Sequence, residues 1–187
     1  MKKVLLVLLI LLCMTGCSNK YLRGKINIEI DVSDYGIIEV ELDADEAPIT
    51  VTNFVSLIKE GFYDGLTFHR VIDGFMIQGG DPSHDGTGGS KETIKGEFAF
   101  NGVNNKILHE SGVISMARGD DYNSASSQFF IVHETSPHLD GKYAAFGHVT
   151  SGMSIVNEIA KNTKVEDSNG TVLYENQPVI TSIKVVE

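Results

Sequence analysis

Alternating apolar and polar residues follow the first 25 positions of the chain and predict β-strands. The stretches INIEIDV (26–32) and IIEVELD (37–43) both alternate in this way, with SDYG between them. A period of two places the apolar residues on one face of a strand. Because a polar, glycine-containing turn separates the two stretches, we expect them to form a β-hairpin.

Two other segments have the period of an α-helix. In VTNFVSLI (51–58) the apolar residues recur every three or four positions, Pro48 precedes them and Gly61 follows. Proline suits the first turn of a helix and glycine its end. A second helix is predicted from about Met153 to Lys161, where apolar residues have the same spacing.

Short apolar runs separated by glycine predict further strands. They are LTFHRVI, FMIQGG, GVISMA, SQFFIVH, YAAFGHV and a final ITSIKVV. Many short strands and two isolated helices favour one domain with a mainly antiparallel sheet, closed or nearly closed, and helices over its ends. The polar segment 162–178 predicts a loop with a short hairpin around Asn169-Gly170.

The N-terminus has the composition of an export signal. MKK precedes an apolar run, Val4 to Cys13, which is shorter than the ~20 residues that span a bilayer. A basic start, a short apolar segment and the small residues of MTGC (14–17) indicate a secretory signal. The cysteine after Gly16 resembles that of a bacterial lipobox, although Met14 stands where most lipoboxes carry leucine.

We therefore predict a lipoprotein signal peptide over residues 1–16, a lipidated Cys17 with a short tether over 17–25, and one domain over 26–187. Acyl chains would hold the protein at the extracytoplasmic face of the cell membrane. The alternatives are an ordinary signal peptide with an incidental cysteine and an uncleaved anchor.

Charge and histidine spacing limit the chemistry. The formal net charge of −10 argues against a nucleic-acid partner, since phosphate binding needs clustered lysine and arginine. The six histidines have no metal-binding spacing, so we expect neither a metal nor another cofactor. GTGGS (86–90) lacks the lysine of a phosphate-binding loop and predicts a glycine-rich turn.

One permanent charge stands inside an apolar run, FHRVIDGFMIQGGD (68–81). Arg70 is followed by Phe75, Met76 and Gln78. Taken alone, such an arginine is interpreted as a snorkelling surface residue or as half of an ion pair. Its surroundings favour a role in binding instead.

Several motifs, in order, resemble those of the cyclophilins, a family of peptidyl-prolyl cis–trans isomerases. FHRVIDGFMIQGGD is similar to the central signature of the family, and GTGG, SGVISMA, SSQFFI and LDGKYAAFG follow in the family's order. NFVSLIKEGFYDG resembles its first helix and the turn after it. The resemblance implies a mainly β fold: a closed, eight-stranded antiparallel β-barrel capped by two α-helices, with the substrate groove on its outer face.

The resemblance also implies roles for individual residues. Arg70 is expected to be catalytic. The expected substrate-binding residues are Phe75, Met76, Gln78, Gly86, Ala117, Arg118, Gln128, Phe130, His138, Leu139 and Tyr143. Four apolar members of this set would line a proline pocket, and its two glutamines would bind the substrate backbone and steady the arginine. Because His138 replaces the tryptophan of well-studied eukaryotic members, we expect weak cyclosporin binding.

The chemistry of an X–Pro bond explains why an arginine is suited to this place. Rotation is opposed by a barrier of roughly 18–20 kcal/mol because the nitrogen shares its lone pair with the carbonyl. A donor that cannot lose its proton favours the twisted state, in which the nitrogen becomes basic. We expect a monomeric isomerase that acts on proline-containing polypeptides and assists the folding of exported proteins.

Two other functions are kept as alternatives. One is a non-catalytic proline-peptide-binding module at the cell surface. The other is an adhesin or structural lipoprotein that uses the fold as a scaffold.

Overall fold

A computed structural model describes residues 21–186. The strands are β1 Lys25–Val32, β2 Gly36–Asp43, β3 Phe68–Ile72, β4 Met76–Gly79, β5 Val113–Met116, β6 Phe129–Val132, β7 Ala145–Ser151 and β8 Ile180–Val186, and the helices are α1 Pro48–Lys59 and α2 Met153–Asn162. All strands belong to one antiparallel sheet with the order β3-β4-β6-β5-β7-β2-β1-β8. Over this range no helix has the length and apolar character to cross a membrane.

The predicted hairpin and both predicted helices are confirmed. β1 and β2 pair from Lys25↔Asp43 to Val32↔Gly36, and their alternating apolar side chains are buried. Helix α1 begins with a proline, and its first backbone N–H groups donate to the buried carboxylate of Glu97. A carboxylate is favoured at this position by the positive end of the helix dipole.

Aromatic rings fill the space between α1 and the sheet. Phe54 of α1 lies with its ring 4.8 Å from Tyr63, 5.3 Å from Phe129 and 5.1 Å from Phe146. A second, smaller apolar cluster includes Met76, Val113, Phe130, Val132, Leu139 and Ala145. Since side chains fill the main core, space for a ligand remains on the outer face of the sheet.

The implied closed barrel is wrong: the sheet is a curled half-barrel. Within residues 21–186, β3 and β8 are the two edges of the sheet, and no ladder pairs them. An isolated bridge, Thr67↔Val179, and a few backbone hydrogen bonds around it, such as Phe68 N–H to Pro178 O (3.0 Å), join only their beginnings. Pro178 precedes β8 and has no N–H to extend a ladder. The fold is therefore eight antiparallel strands and two helices, open between β3 and β8.

Segment 163–179 occupies the free edge of β3. Val71 N–H donates to Gly170 O (2.8 Å), and Val172 N–H donates to His69 O (3.1 Å). The chain turns back at Asn169-Gly170 as predicted: Gly170 N–H donates to Asp167 O (3.1 Å) and Glu166 N–H donates to Thr171 O (2.8 Å). Neither arm of this turn is a strand, and a short 3₁₀ helix follows it. The edge of β3 therefore pairs with a loop rather than with β8.

The last residues of the predicted tether contact the domain. Leu22 N–H donates to Thr52 Oγ1 (2.8 Å), and Gly24 N–H donates to Asp45 Oδ1 (3.1 Å). The predicted signal peptide, Cys17 and the start of the tether lie outside the described residues.

Candidate active site

A groove of about 880 Å³ crosses the outer face of the sheet. One side, the proline wall, consists of Phe75, Met76, Phe130, His138, Leu139 and Tyr143. The opposite side, the far wall, consists of His84, Asn169, Thr171, Val172, Leu173, Tyr174 and Gln177. His69, Arg70 and Gln78 also line the groove, as do Gly86, Ala117 and Arg118.

Strand pairing fixes the position of Arg70. Arg70 stands opposite Gln78 in the β3–β4 ladder, and its Nη1 donates to Gln78 Oε1 (3.1 Å) while Nε donates to Asn169 O (2.8 Å). Gln78 Nε2 in turn donates to Gln128 Oε1 (2.9 Å), and Gln128 Nε2 donates to Gly86 O (3.0 Å). The guanidinium is therefore oriented by neutral amide and carbonyl groups, which are themselves linked by hydrogen bonds.

The charge of Arg70 is not neutralised by an ion pair. None of the ion pairs among residues 21–186 includes it, so the ion-pair interpretation is excluded for this part of the chain. Burial lowers the pKa of Arg70, while Tyr143 and Asp167 act in the opposite direction. An arginine nevertheless stays protonated in proteins, so a half-buried cation faces the groove.

The proline wall is largely apolar, and much of it is buried. Met76, Phe130 and Leu139 are buried, with only narrow faces open to the groove. The Phe75 ring lies 5.3 Å from the His138 ring. Such a wall, beside a fixed cation, can hold an apolar ring next to a hydrogen-bond donor.

The comparison with known families decides the identity of this fold and groove. The family profile described as "Cyclophilin type peptidyl-prolyl cis-trans isomerase/CLD" matches residues 26–185. The chain belongs to this family. Membership makes it an enzyme, a peptidyl-prolyl cis–trans isomerase.

Individual relatives agree with this assignment. Peptidyl-prolyl cis-trans isomerase B of Bacillus subtilis is 51% identical over 144 residues, which cover 77% of this chain and 92% of the relative. A peptidyl-prolyl cis-trans isomerase of Helicobacter pylori is 47% identical over 133 residues, 70% of this chain and 78% of the relative. A crystal structure of a Cryptosporidium parvum cyclophilin, determined in the presence of the dipeptide Ala-Pro, superposes with a TM-score of 0.76 at 29% identity and covers 86% of this chain and 99% of the other.

A buried hydrogen-bond network supports the proline wall of this cyclophilin from behind. The His109 ring stacks on Phe130 at 6.1 Å, with an interplanar angle of 16°. Its Nδ1 lies 2.9 Å from Asp140 Oδ1 and its Nε2 lies 3.0 Å from Ser115 Oγ. Burial lowers the pKa of His109 against the opposing effect of Asp140. The network therefore holds the ring that forms the base of the pocket.

Arg118 is fixed at the rim of the cyclophilin groove by three aromatic rings. Its guanidinium lies 5.3 Å from the ring of Phe98, 4.9 Å from Tyr122 and 4.8 Å from Tyr143. Nε also donates to Lys142 O (3.1 Å). Arg118 therefore adds a second, well-positioned cation to the groove.

His69 enters the groove because β3 is irregular. The β3–β4 register shifts between Phe68 and Arg70, and both His69 and Arg70 line the groove although they are neighbours in sequence. His69 is 4% exposed, and neither ring nitrogen has a hydrogen-bond partner within the described residues. Burial lowers the pKa of His69, which favours a neutral ring beside the arginine.

The fold brings together most of the residues that the sequence indicated. Arg70 and ten of the expected substrate-binding residues line the groove, whereas Gln128 lies behind Gln78 and holds it. Sequence reasoning missed His69 and the whole far wall. The apolar triplet 172–174 inside a mostly polar loop was the available signal. Among the described residues no cluster of His, Cys, Asp or Glu could hold a metal ion.

Proposed function

We propose that this cyclophilin rotates X–Pro bonds in its groove with Arg70 as the catalytic residue and the proline wall as the ring pocket. The observation that carries the proposal is the position of Arg70: an unneutralised guanidinium held by two neutral oxygens at the edge of an apolar wall. Such an arrangement serves a reaction in which charge develops on a proline nitrogen and no covalent bond is broken.

The guanidinium acts by differential binding. Arginine carries five N–H donors, and the bonds to Gln78 and Asn169 occupy two of them. The remaining donors stabilise the pyramidal nitrogen of the twisted state more than the planar amide, which lowers the barrier. The half-buried setting strengthens this contact because charges interact more strongly at a lower effective dielectric.

Replacement of Arg70 tests this role. In Arg70→Ala we expect kcat/KM for a proline peptide to fall by about 10²–10³, the usual loss when one transition-state donor is removed. NMR exchange spectroscopy of the peptide measures the rate without a coupling protease. Arg23→Ala, at an exposed arginine outside the groove, is the matched control. Equal activity of Arg70→Ala and the control would contradict the proposed mechanism.

We further propose that the enzyme acts on exported proteins at the extracytoplasmic face of the membrane, tethered through lipid on Cys17. X–Pro isomerisation takes about 10–100 s without catalysis, so an isomerase at this place would speed the folding of emerging chains. Five residue steps separate Cys17 from Leu22, which contacts the domain, and they reach at most roughly 17–18 Å. The domain would therefore stay close to the bilayer.

Processing of the N-terminus tests the location. Mass spectrometry of the protein from membranes should find Cys17 as the first residue with a diacylglyceryl modification. Cys17→Ala should abolish this modification. An unmodified Cys17 in the wild-type protein would contradict the anchor and leave the catalytic proposal intact.

Two smaller expectations complete the proposal. We expect the domain to be monomeric, which sedimentation measures. We also expect weak cyclosporin binding, since exposed His138 stands next to Phe75 in place of a larger indole.

A further inference from the structure

The far wall exposes large apolar side chains at the groove. Leu173 is 41% exposed and Tyr174 is 66% exposed, and both line the cavity. They lie in a loop whose other members are mostly polar. Exposed apolar surface next to a groove is typical of a binding site, because its burial by a ligand is favourable.

Buried polar contacts hold this wall in place. Gln177 is 6% exposed, and its Nε2 donates to His84 O (2.9 Å) and Val172 O (2.9 Å), while its Oε1 accepts from Thr67 Oγ1. The His84 ring meets the Tyr174 ring edge-on at 5.0 Å. The wall is therefore preformed, which reduces the ordering cost of binding.

The far wall is continuous with the catalytic groove. Asn169 O accepts from Arg70 Nε, and the next-but-one residue, Thr171, forms a bridge with Arg70. A peptide whose proline lies beside Arg70 therefore has the far wall within reach of its flanking side chains. Exposed carboxylates of Glu166, Asp167 and Glu175 border the same loop and oppose docking on an anionic lipid surface.

We propose that the far wall is a specificity subsite that binds an apolar or aromatic side chain near the proline of the substrate. The inference depends on the proposed placement of the proline beside Arg70. Leu173 and Tyr174 supply the contact surface, Val172 forms its buried base, and Gln177 keeps the loop in position. The enzyme thus selects substrates by a side chain other than proline.

A scanning series of peptides tests the subsite. The host is an alanine-rich peptide with one proline, and a single phenylalanine replaces alanine at each of the three positions before and after it. NMR exchange spectroscopy gives kcat/KM for each peptide with the full chain. At one position we expect the ratio of the phenylalanine to the alanine peptide to reach about 10, the lower end of the effect of a small apolar group in a hydrophobic pocket.

Variants assign the preference to the far wall. In the double variant Leu173→Ser, Tyr174→Ser we expect this ratio to fall to about 1. Ile37→Ser is the control, because Ile37 is 47% exposed on β2 and lies outside the groove, so its ratio should equal that of the wild type. A wild-type ratio near 1 at every position, or an unchanged ratio in the double variant, would overturn the subsite.

The failure of the subsite is distinguishable from failure of the proposed mechanism. Arg70→Ala is measured on the all-alanine peptide in the same series. If Arg70→Ala has the same rate as the wild type, the proposed catalytic site is contradicted, and so is the subsite that depends on it. If the rate depends on Arg70 but the ratios are flat, only the subsite is overturned.

Discussion

The two walls of the groove face the same ligand space but are built differently. The proline wall stands on paired strands, with Met76↔Val132 and Gln78↔Phe130 opposite each other in the β4–β6 ladder. The far wall is mostly a loop, residues 169–177, which backbone hydrogen bonds hold to the edge of β3 and the side chain of Gln177 holds from behind. The motifs that resemble cyclophilins fall on the proline wall and around Arg70, and none falls on residues 169–177. The difference separates a wall built from the strands of the sheet from a wall built mostly by a loop along its edge strand.

The two walls also differ in what they contribute to stability. Phe130 is 5% exposed and belongs to an apolar cluster under the groove, so it serves folding and binding together. Tyr174 on the far wall contacts His84 but leaves most of its surface to solvent. Substitution of Phe130 should therefore lower stability, and substitution of the exposed Tyr174 should change it little.

The largest expected effect comes from removing the aromatic base of the proline wall. Phe130→Ala should lower the free energy of unfolding by about 3–5 kcal/mol, the usual cost of a buried phenylalanine. Tyr174→Ala should change it by less than ~0.5 kcal/mol, as for other exposed sites. Urea denaturation of both variants measures the contrast. Similar losses in the two variants would show that the walls do not differ in this way.

An intermediate effect is expected at the glycine that lets the far wall pair with β3. Gly170 has φ +80°, and a Cβ there would lie 2.3 Å from Val71 O, so Gly170→Ala must displace the loop. Gly65 has the same φ, but within the described chain nothing lies within 4 Å of its would-be Cβ. In both variants an alanine must adopt a left-handed backbone conformation, which lowers the free energy of unfolding by roughly 1–2 kcal/mol. Only in Gly170→Ala should a steric clash lower the free energy of unfolding by a further ~1–3 kcal/mol, the usual cost of overpacking, which urea denaturation measures.

Activity provides a second measurement for the same pair of variants. Displacement of residues 169–172 removes the Asn169 O contact that orients Arg70. We therefore expect kcat/KM to fall in Gly170→Ala, by up to about 10²-fold if the guanidinium moves by about 1 Å. Gly65→Ala should retain its activity. Equal stability and activity in the two variants would show that the far wall does not position Arg70.

The smallest expected effect is on pH dependence at the junction of the walls. Because burial lowers the pKa of His69 in the folded state, the unfolded chain binds more protons as the pH falls below ~6.5. The free energy of unfolding should then decrease as the pH falls towards the lowered pKa. Asp81 and Asp85 oppose the shift, and Arg70 and His84 reinforce it.

A substitution isolates this contribution. Between about pH 7.5 and about pH 5, the free energy of unfolding should decrease less steeply in His69→Leu than in the wild type. Part of the pH dependence should remain, because the pKa of buried His109 is lowered too. The exposed His148→Leu is the control and should leave the slope unchanged. Urea denaturation at several pH values measures it, and a slope that is identical in wild type and His69→Leu would contradict the effect.

Local patterns predicted the elements of this fold well. The period of residues 51–58 and the proline ahead of them are properties of the helix alone, and α1 lies where they indicate. The closed barrel was wrong because closure depends on what β3 and β8 pair with. Segment 170–172 takes the edge of β3, and this competition between distant segments leaves no periodic signal in either of them.

The sequence by itself determined the hairpin, the two helices, the family motifs and the presence of a lone arginine among apolar residues. These follow from spacing along the chain and from the chemistry of single side chains. Only the tertiary structure decided that Asn169 O would hold Arg70, that a shift in strand register would turn His69 into the groove, and that Leu173 and Tyr174 would form its second wall. The physical reason is that the Asn169 contact and the second wall join residues about one hundred positions apart, and the strand register depends on packing, so that packing rather than local preference selects the partner.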